Sequence, residues 1–138
     1  MGVQENLEIV KAGYAAFGRG DLPGLLALLS EDVEWIIPGE GTPLAGNYRG
    51  HSGVAKFFQT LASTTDILDF QPREFVADGD RVLVIGFESS KVKATGRPVE
   101  TNWVMAFTVR NGKVVAFREY GDTQAWANAF GAGARAAG

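Results

Sequence analysis

The second half of the chain contains four β-rich segments separated by short turn signals. The segments cover residues 67–78, 80–95, 98–110 and 113–120, and the joints carry Asp78-Gly79, Gly96 with Arg97-Pro98, and Asn111-Gly112. Glycine and asparagine supply the positive φ, and proline the fixed φ, that tight hairpins need. Strands joined by such hairpins pair antiparallel, so we predict a four-stranded antiparallel meander.

The first half of the chain is predicted to be mainly helical. Apolar residues recur at spacings of three and four over residues 4–18, which is typical of one face of an amphipathic helix. Asp21 is placed to cap a second, leucine-rich helix that reaches Leu29. Two further helices are expected, one starting at His51 or Ser52 and one over Gln124–Phe130 after a cap at Asp122 or Thr123.

A short strand, Val33–Ile37, and a Gly- and Pro-rich segment, Pro38–Gly50, separate the second helix from the third. The segment is expected to be a loop, either a lid or a plain connection. Helices gathered on one side of an antiparallel sheet define the α+β class. We expect residues 1–130 to form one such domain and residues 131–138, which lack large side chains, to be a flexible tail.

Composition excludes several kinds of site. The chain has no cysteine and a single histidine, so disulfides, thiolate nucleophiles and multi-histidine metal centres are excluded, and no metal site is predicted. A net charge of -3 provides no basic surface for nucleic acid. No apolar run is long enough for a transmembrane helix and no signal-peptide pattern is found. We therefore expect a cytoplasmic protein with neither membrane nor nucleic acid partners.

Two predicted strands are apolar on both faces. Residues 81–87 read Arg-Val-Leu-Val-Ile-Gly-Phe, and residues 103–109 read Trp-Val-Met-Ala-Phe-Thr-Val. One face must cover the helices, and the other needs a cover of its own, which a homodimer formed through the open face would supply. The alternative is a sheet curled tightly around its own core.

A sheet that curls around helices encloses a cavity on its concave side. Its expected lining is Trp35, Trp103, Met105, Phe107 and Phe117. Large aromatic side chains with a few polar groups are typical of small-molecule sites. The same side chains could instead simply fill the core.

Two stretches of the sequence resemble the SnoaL-like, or nuclear transport factor 2-like, superfamily. The first contains GDLPGLLALLSEDVEW, then PG, GNYRG and GVAKFF, and the second is NGKVVAFREYGDTQAW. Together they cover nearly the whole chain in matching order. The resemblance implies a cone-shaped α+β barrel, in which a curved, mostly antiparallel sheet wraps around three helices. That fold hosts cyclases, isomerases, hydrolases and proteins with no reaction, so the resemblance leaves the activity open.

Ketosteroid isomerases of this superfamily use a carboxylate base, a second carboxyl and a tyrosine donor. The matching positions for the two carboxyls hold Ile37 and Met105, and Tyr14 lies about one residue from the donor's position. One residue turns a helical side chain by about 100°. The resemblance therefore does not imply isomerase chemistry of that form.

Limonene epoxide hydrolases use two carboxylates bridged by an arginine. Matching their motifs places the carboxylates at Glu88 and Glu119, but Gly86 stands where the arginine is expected and Trp35 where a tyrosine holds water. The carboxylates are thus retained without their cation. SnoaL-type cyclases need an acid/base carboxylate in an apolar cavity, which these residues neither forbid nor specify.

Glu88 and Glu119 are the predicted catalytic residues. Strand alternation places Glu88 on an apolar face, and Glu119 on the same face as Val115 and Phe117. Two carboxyls in one apolar cavity repel, and burial raises the pKa, so one of them could exchange protons near neutral pH. Alternatively, the two carboxylates could pair at the sheet edge with Arg118, Arg97 or Lys91.

The predicted ligand-binding residues are Tyr14, Trp35, Tyr48, His51, Trp103, Met105, Phe107 and Phe117. The hydroxyls of the three tyrosines, Tyr14, Tyr48 and Tyr120, can donate to a ligand carbonyl, although each could equally be a core or rim residue. His51 could contact a ligand or simply occupy the first turn of a helix.

The sequence thus predicts a protein that binds a small hydrophobic molecule and needs no cofactor. It would be a cyclase, isomerase or hydrolase using carboxylate acid/base chemistry, or a non-catalytic ligand-binding or dimerisation module. An open cavity with an unpaired carboxyl favours the enzyme. A filled cavity with both glutamates in ion pairs favours the module.

Overall fold

A curved six-stranded sheet and four helices make up the computed structural model, which describes residues 2–131. The helices are α1 (Val3–Gly18), α2 (Leu22–Ala27), α3 (Gly50–Thr64) and α4 (Thr123–Ala129). The strands are β1 (Leu29–Ile37), β2 (Gly46–Arg49), β3 (Thr65–Asp78), β4 (Arg81–Val92), β5 (Pro98–Arg110) and β6 (Lys113–Tyr120). The α+β cone predicted for this chain is confirmed.

The predicted meander forms four of the six strands of the sheet, whose strand order is β2-β1-β6-β5-β4-β3. Each strand from β3 to β6 pairs antiparallel with the next. The turn between β5 and β6 has positive φ at Asn111 (51°) and Gly112 (76°), and the turn between β3 and β4 has positive φ at Gly79 (57°). These are the left-handed conformations that tight hairpins require.

The first strand closes the cone by pairing parallel with β6, with Trp35 opposite Phe117 and Ile36 opposite Arg118. No local turn signal announces this pairing, because parallel neighbours are joined by long connections. The consequence is that the inward side chains of β1 lie beside those of β6.

Two differences from the prediction concern the strands β1 and β2. Strand β1 begins at Leu29 rather than Val33, because α2 ends at Ala27 and Leu29 pairs with Val114. The expected loop Pro38–Gly50 contains β2, which pairs antiparallel with β1. That strand is short and polar, so its conformation comes from backbone pairing and not from a pattern visible in the sequence.

The concave face of the sheet is the buried one. Along β4 the inward positions Val82, Val84 and Glu88 are buried, as alternation predicts. On β6 the alternation shifts: Val114 is 3% exposed, whereas Val115 is only partly buried, so its predicted inward orientation is wrong. The reason is a register irregularity opposite Thr108 and Val109, which displaces the alternation by one residue.

Both predicted aspartate caps are present. The side chain of Asp21 accepts a hydrogen bond from the backbone N–H of Gly24, and that of Asp122 accepts one from Ala125, each at 2.9 Å. Of the predicted tail, Gly131 follows α4 in a turn, and residues 132–138 lie outside the described part of the chain. No helix within residues 2–131 has the length and apolar character needed to cross a bilayer.

Candidate functional site

A cavity of about 110 Å³ lies between the concave face of the sheet and the helices. Its volume is several times what one water molecule needs. Nine aromatic residues from both layers contribute to the wall: Tyr14, Phe17, Trp35, Phe57, Phe58, Phe70, Phe107, Phe117 and Trp126. Such a wall is suited to small, largely apolar molecules.

The cavity reaches the surface between the segment after β1 and the start of α4. Three lining residues there, Gly39, Gly121 and Thr123, are exposed. Gly39 has a φ of 120°, and a Cβ atom built on it would lie 3.4 Å from the side chain of Thr123. The segment after β1 and the start of α4 therefore lie close together at this opening.

Glu88 lines the cavity with its side chain largely withdrawn from solvent. The residue is 5% exposed, and one carboxylate oxygen accepts a hydrogen bond of 2.8 Å from the Ser90 hydroxyl. Burial raises the pKa of Glu88, and the hydrogen bond from Ser90 opposes that rise. Ser90 thus favours the ionised form of this carboxyl.

Glu119 is the second carboxyl in the cavity wall. It lies on β6, which pairs with β5. Burial, and after it the negative charge of Glu88, raise the pKa of Glu119 to about 7. Within residues 2–131, no lysine, arginine or histidine lines the cavity. The carboxyl is therefore half ionised near neutral pH.

The ion pairs considered from the sequence do not form. In the described range, 2–131, neither Glu88 nor Glu119 takes part in a salt bridge. Arg118 instead lies over the ring of Tyr120, and Arg97 donates to the backbone carbonyl of Asn128 at 2.8 Å. Both carboxyls are left without a cationic partner.

Tyr14 on α1 brings a hydroxyl group close to Glu119. Its O–H donates to the sulfur of Met105 at 3.1 Å, and Met105 is the residue opposite Glu119 in the pairing of β5 with β6. Burial, and then the charge of Glu119, raise the pKa of Tyr14. The phenol thus stays protonated. Because thioether sulfur is a weak acceptor, the O–H readily donates its hydrogen bond to a ligand oxygen instead.

Trp35 of β1 also lies in the cavity wall, opposite Phe117 of β6. Its ring stacks on Phe117 with centroids 3.9 Å apart and planes 17° from parallel. The indole Nε1 is buried without a hydrogen-bond partner among the residues described. Met105 and Phe107 also line the cavity, so five of the eight ligand-binding candidates, with Tyr14 and Phe117, are brought together.

The other three ligand-binding candidates lie outside the lining and make structural contacts. Tyr48 donates from its hydroxyl to the carbonyl of Leu44 at 2.7 Å, and the His51 Nε2 lies 2.9 Å from the carbonyl of Leu29. The ring of Trp103 is buried over Gly86 and stacks on Phe70 with centroids 5.1 Å apart. Trp103 faces inward as predicted, but Phe70 and Tyr14 cover it.

Several lining residues were not singled out from the sequence, among them Phe17, Phe58, Leu61, Phe70 and Trp126. The helical periodicities do place Phe17, Phe58 and Leu61 on buried faces. Whether a buried helix face meets side chains or an open cavity depends on the curvature of the opposing sheet, which periodicity does not encode.

A family model described as SnoaL-like domain matches residues 10–117. An NTF2-like protein from Burkholderia xenovorans is 53% identical, with 94% of this chain and 98% of that chain covered and a TM-score of 0.88. TerC, crystallized with polyporic acid, is 31% identical over 91% of this chain and 98% of its own, with a TM-score of 0.78. The uncharacterized protein Rv0034 of Mycobacterium tuberculosis is 28% identical, with 83% of this chain and 87% of the relative covered.

Proposed function

The chain belongs to the SnoaL-like domain family, and on that premise we propose that it is an enzyme that moves protons on a small, largely apolar carbonyl compound. The observation that carries the proposal is an aromatic cavity that holds two carboxyl groups and, in the part of the chain that the structure describes, no cationic side chain. In this proposal Glu119 is the acid/base residue, Glu88 tunes it, and Tyr14 is the hydrogen-bond donor. No cofactor is required.

The proposed step begins with the ionised form of Glu119. Its carboxylate removes a proton from the carbon next to the carbonyl, and the electron pair left on carbon moves to the carbonyl oxygen. The Tyr14 hydroxyl donates to that developing oxyanion in place of Met105. Glu119, now protonated, returns a proton to carbon, so the carboxylate is regenerated and no redox change occurs.

Three further observations support this assignment. The pKa of Glu119, about 7, permits both removal and return of a proton near neutral pH. The wall is largely apolar, and such surroundings strengthen the interactions of the few polar groups in the cavity. A family relative, TerC, was crystallized with polyporic acid, so a chain of the same fold holds a small molecule.

The test uses β-tetralone, a flat two-ring ketone with exchangeable hydrogens beside its carbonyl. Incubation in deuterium oxide, followed by proton NMR, measures how fast deuterium replaces those hydrogens. The wild-type protein should accelerate exchange, and Glu119→Gln should reduce the acceleration by about 100-fold or more. Glu100→Gln, which removes an exposed carboxyl of β5, is the matched control and should leave the rate unchanged.

Each alternative result is informative. Exchange no faster than in buffer alone, while β-tetralone still binds, would identify the chain as a non-catalytic ligand-binding module. Full activity in Glu119→Gln would remove that residue from the mechanism.

We also propose that two copies of the chain associate through the convex face of the sheet. Leu83 and Ile85 of β4 point outward and are 36% and 37% exposed. Val76, opposite Leu83 on β3, is 52% exposed, and Tyr120 on β6 is 51% exposed. These side chains form an apolar band across several strands, and an isologous dimer would remove it from water on both copies at once.

A further inference from the structure

Two tryptophans carry a buried indole N–H without a hydrogen-bond partner among the described residues, and they differ in where they lie. Trp35 is 5% exposed and belongs to the cavity wall, whereas Trp103 is 2% exposed and does not. A buried donor that has given up water without gaining a partner is unfavourable. An orphan donor in a cavity wall therefore calls for an acceptor that enters the cavity.

The immediate neighbours of the Trp35 ring offer no such acceptor. The ring stacks on Phe117 and meets Phe57 and Phe58 at tilted angles, with centroids 6.4 and 5.8 Å away. Aromatic rings hold the indole plane in place but supply no oxygen. The orientation of the N–H is thus fixed before a ligand arrives.

The position of Trp35 relative to Glu119 gives this donor a role in the proposed chemistry. Trp35 is opposite Phe117 in the parallel pairing of β1 with β6, and Glu119 is two residues further along the same face of β6. Residues two apart on a strand lie about 7 Å from one another. Trp35 and Glu119 are therefore diagonal neighbours in the wall of the same cavity.

The second neutral donor is the Tyr14 hydroxyl. It donates to Met105, the residue opposite Glu119 in the pairing of β5 with β6. The cavity wall thus carries Glu119 together with two neutral donor residues, one on β1 and one on α1. The wall supplies two acids and no cation, which disfavours an anionic group at this position.

Resting on the proposed function, we infer that the Trp35 indole N–H donates a hydrogen bond to an uncharged oxygen of the substrate. The substrate class is a planar, uncharged molecule that carries a carbonyl or hydroxyl oxygen on its ring system. Trp35 is a specificity-determining residue, because it distinguishes an oxygenated ring from a hydrocarbon of the same shape. Phe117 positions it.

The test compares two probes that share a ring skeleton, β-tetralone and the hydrocarbon tetralin. Their affinities are measured by titration for the wild type, Trp35→Phe and Trp103→Phe. The phenylalanine keeps one ring against Phe117, removes the N–H donor and shortens the side chain, a size change that Trp103→Phe shares. We expect Trp35→Phe to lose about five-fold of the preference for the ketone, and Trp103→Phe, which loses an orphan N–H outside the cavity, to keep that preference.

A second measurement does not depend on how the variants fold. The wild-type chain has three tryptophans, and their indole N–H signals are resolved by proton–nitrogen NMR on isotope-labelled protein. β-Tetralone should move the Trp35 proton signal downfield, as hydrogen bonding does, whereas tetralin should not. The Trp103 signal should stay in place with both probes.

The outcomes separate this inference from the proposed function. If both probes bind but the ketone preference is equal in all three proteins and the Trp35 signal does not move, the role of Trp35 is refuted and the small-molecule site stands. If neither probe binds the wild type, both the inference and the proposed function fail.

Discussion

The Ser90 hydroxyl donates a hydrogen bond of 2.8 Å to a carboxylate oxygen of Glu88, and both residues lie on the buried face of β4. This bond is the local support for a negative charge in a wall that otherwise penalises it. The charge on Glu88 in turn raises the pKa of Glu119. A serine that does not line the cavity thereby affects the proposed acid/base residue.

Ser90→Ala should raise the pKa of Glu88 further, because the bond that favours the ionised form is lost. We expect the free energy of unfolding at pH 8 to fall by about 1.5–3 kcal/mol, the usual value of a hydrogen bond to a charged group. Near pH 3.5 Glu88 is protonated in both states, so the loss should be smaller. Urea denaturation at both pH values measures this loss in the free energy of unfolding. Ser89→Ala, on the opposite face of β4, is the control, and equal losses in both variants would contradict the role of Ser90.

The stability of the protein should fall as pH rises through the range in which Glu119 titrates. The pKa of Glu119 is raised from 4.5 to about 7 in the folded state, so between these values the folded chain holds a proton that the unfolded chain has lost. The contribution of Glu119 to the free energy of unfolding is therefore fully present below pH 4.5, decreases between pH 4.5 and pH 7, and is constant above pH 7. Glu119→Gln should remove this part of the decrease and raise stability at pH 8 by up to about 3 kcal/mol. Denaturant titrations from pH 4 to pH 9 test this; an unchanged slope in the variant would refute it.

Gly86→Ala should destabilise the fold although it adds a single methyl group. A Cβ at this position would lie 2.5 Å from the carbonyl oxygen of Gln71 and would overlap the ring of Trp103. Overpacking of this kind costs about 1–3 kcal/mol. Gly18→Ala is the control, because a Cβ at this position, at the end of α1, would have no atom within 4 Å. It should be neutral or stabilising by up to about 1 kcal/mol. Thermal unfolding of both variants measures the difference. Equal stability of Gly86→Ala and Gly18→Ala would show that Trp103 moves aside at no cost.

Tyr14→Phe should separate the proposed catalytic role from packing. The variant keeps the ring, which lies among Phe70, Phe75 and Phe107, and loses only the O–H that donates to a weak sulfur acceptor. We expect a stability change below about 1 kcal/mol and a fall of about 100-fold in β-tetralone exchange. Unchanged exchange in a folded variant would exclude the hydroxyl as the donor.

Ile85→Lys should prevent the proposed self-association, because it places a charge in the centre of the apolar band on the convex face. Sedimentation velocity should show twice the chain mass for the wild type and one chain mass for the variant. Val3→Lys changes an apolar residue of similar exposure, 42%, on α1, and should leave the mass unchanged. A monomeric wild type would refute the dimer.

The elements whose signals are local could be predicted from the sequence. The turn residues Asn111 and Gly112, the caps Asp21 and Asp122, and the alternation that buries Glu88 are all read from neighbours a few residues away, and each occurs as predicted. The resemblance to the SnoaL-like family supplied the closure of these elements into a cone.

Tertiary structure alone decided how these elements meet. The parallel pairing of β1 with β6 sets Trp35 beside the strand of Glu119, and the bulge opposite Val109 exchanges Val114 for Val115 in the buried face. The curvature of the sheet leaves Trp35 in the cavity wall and covers Trp103, although both are inward-facing tryptophans. These outcomes depend on contacts between residues far apart in the sequence. Local patterns of hydrophobicity do not determine which distant residues come into contact.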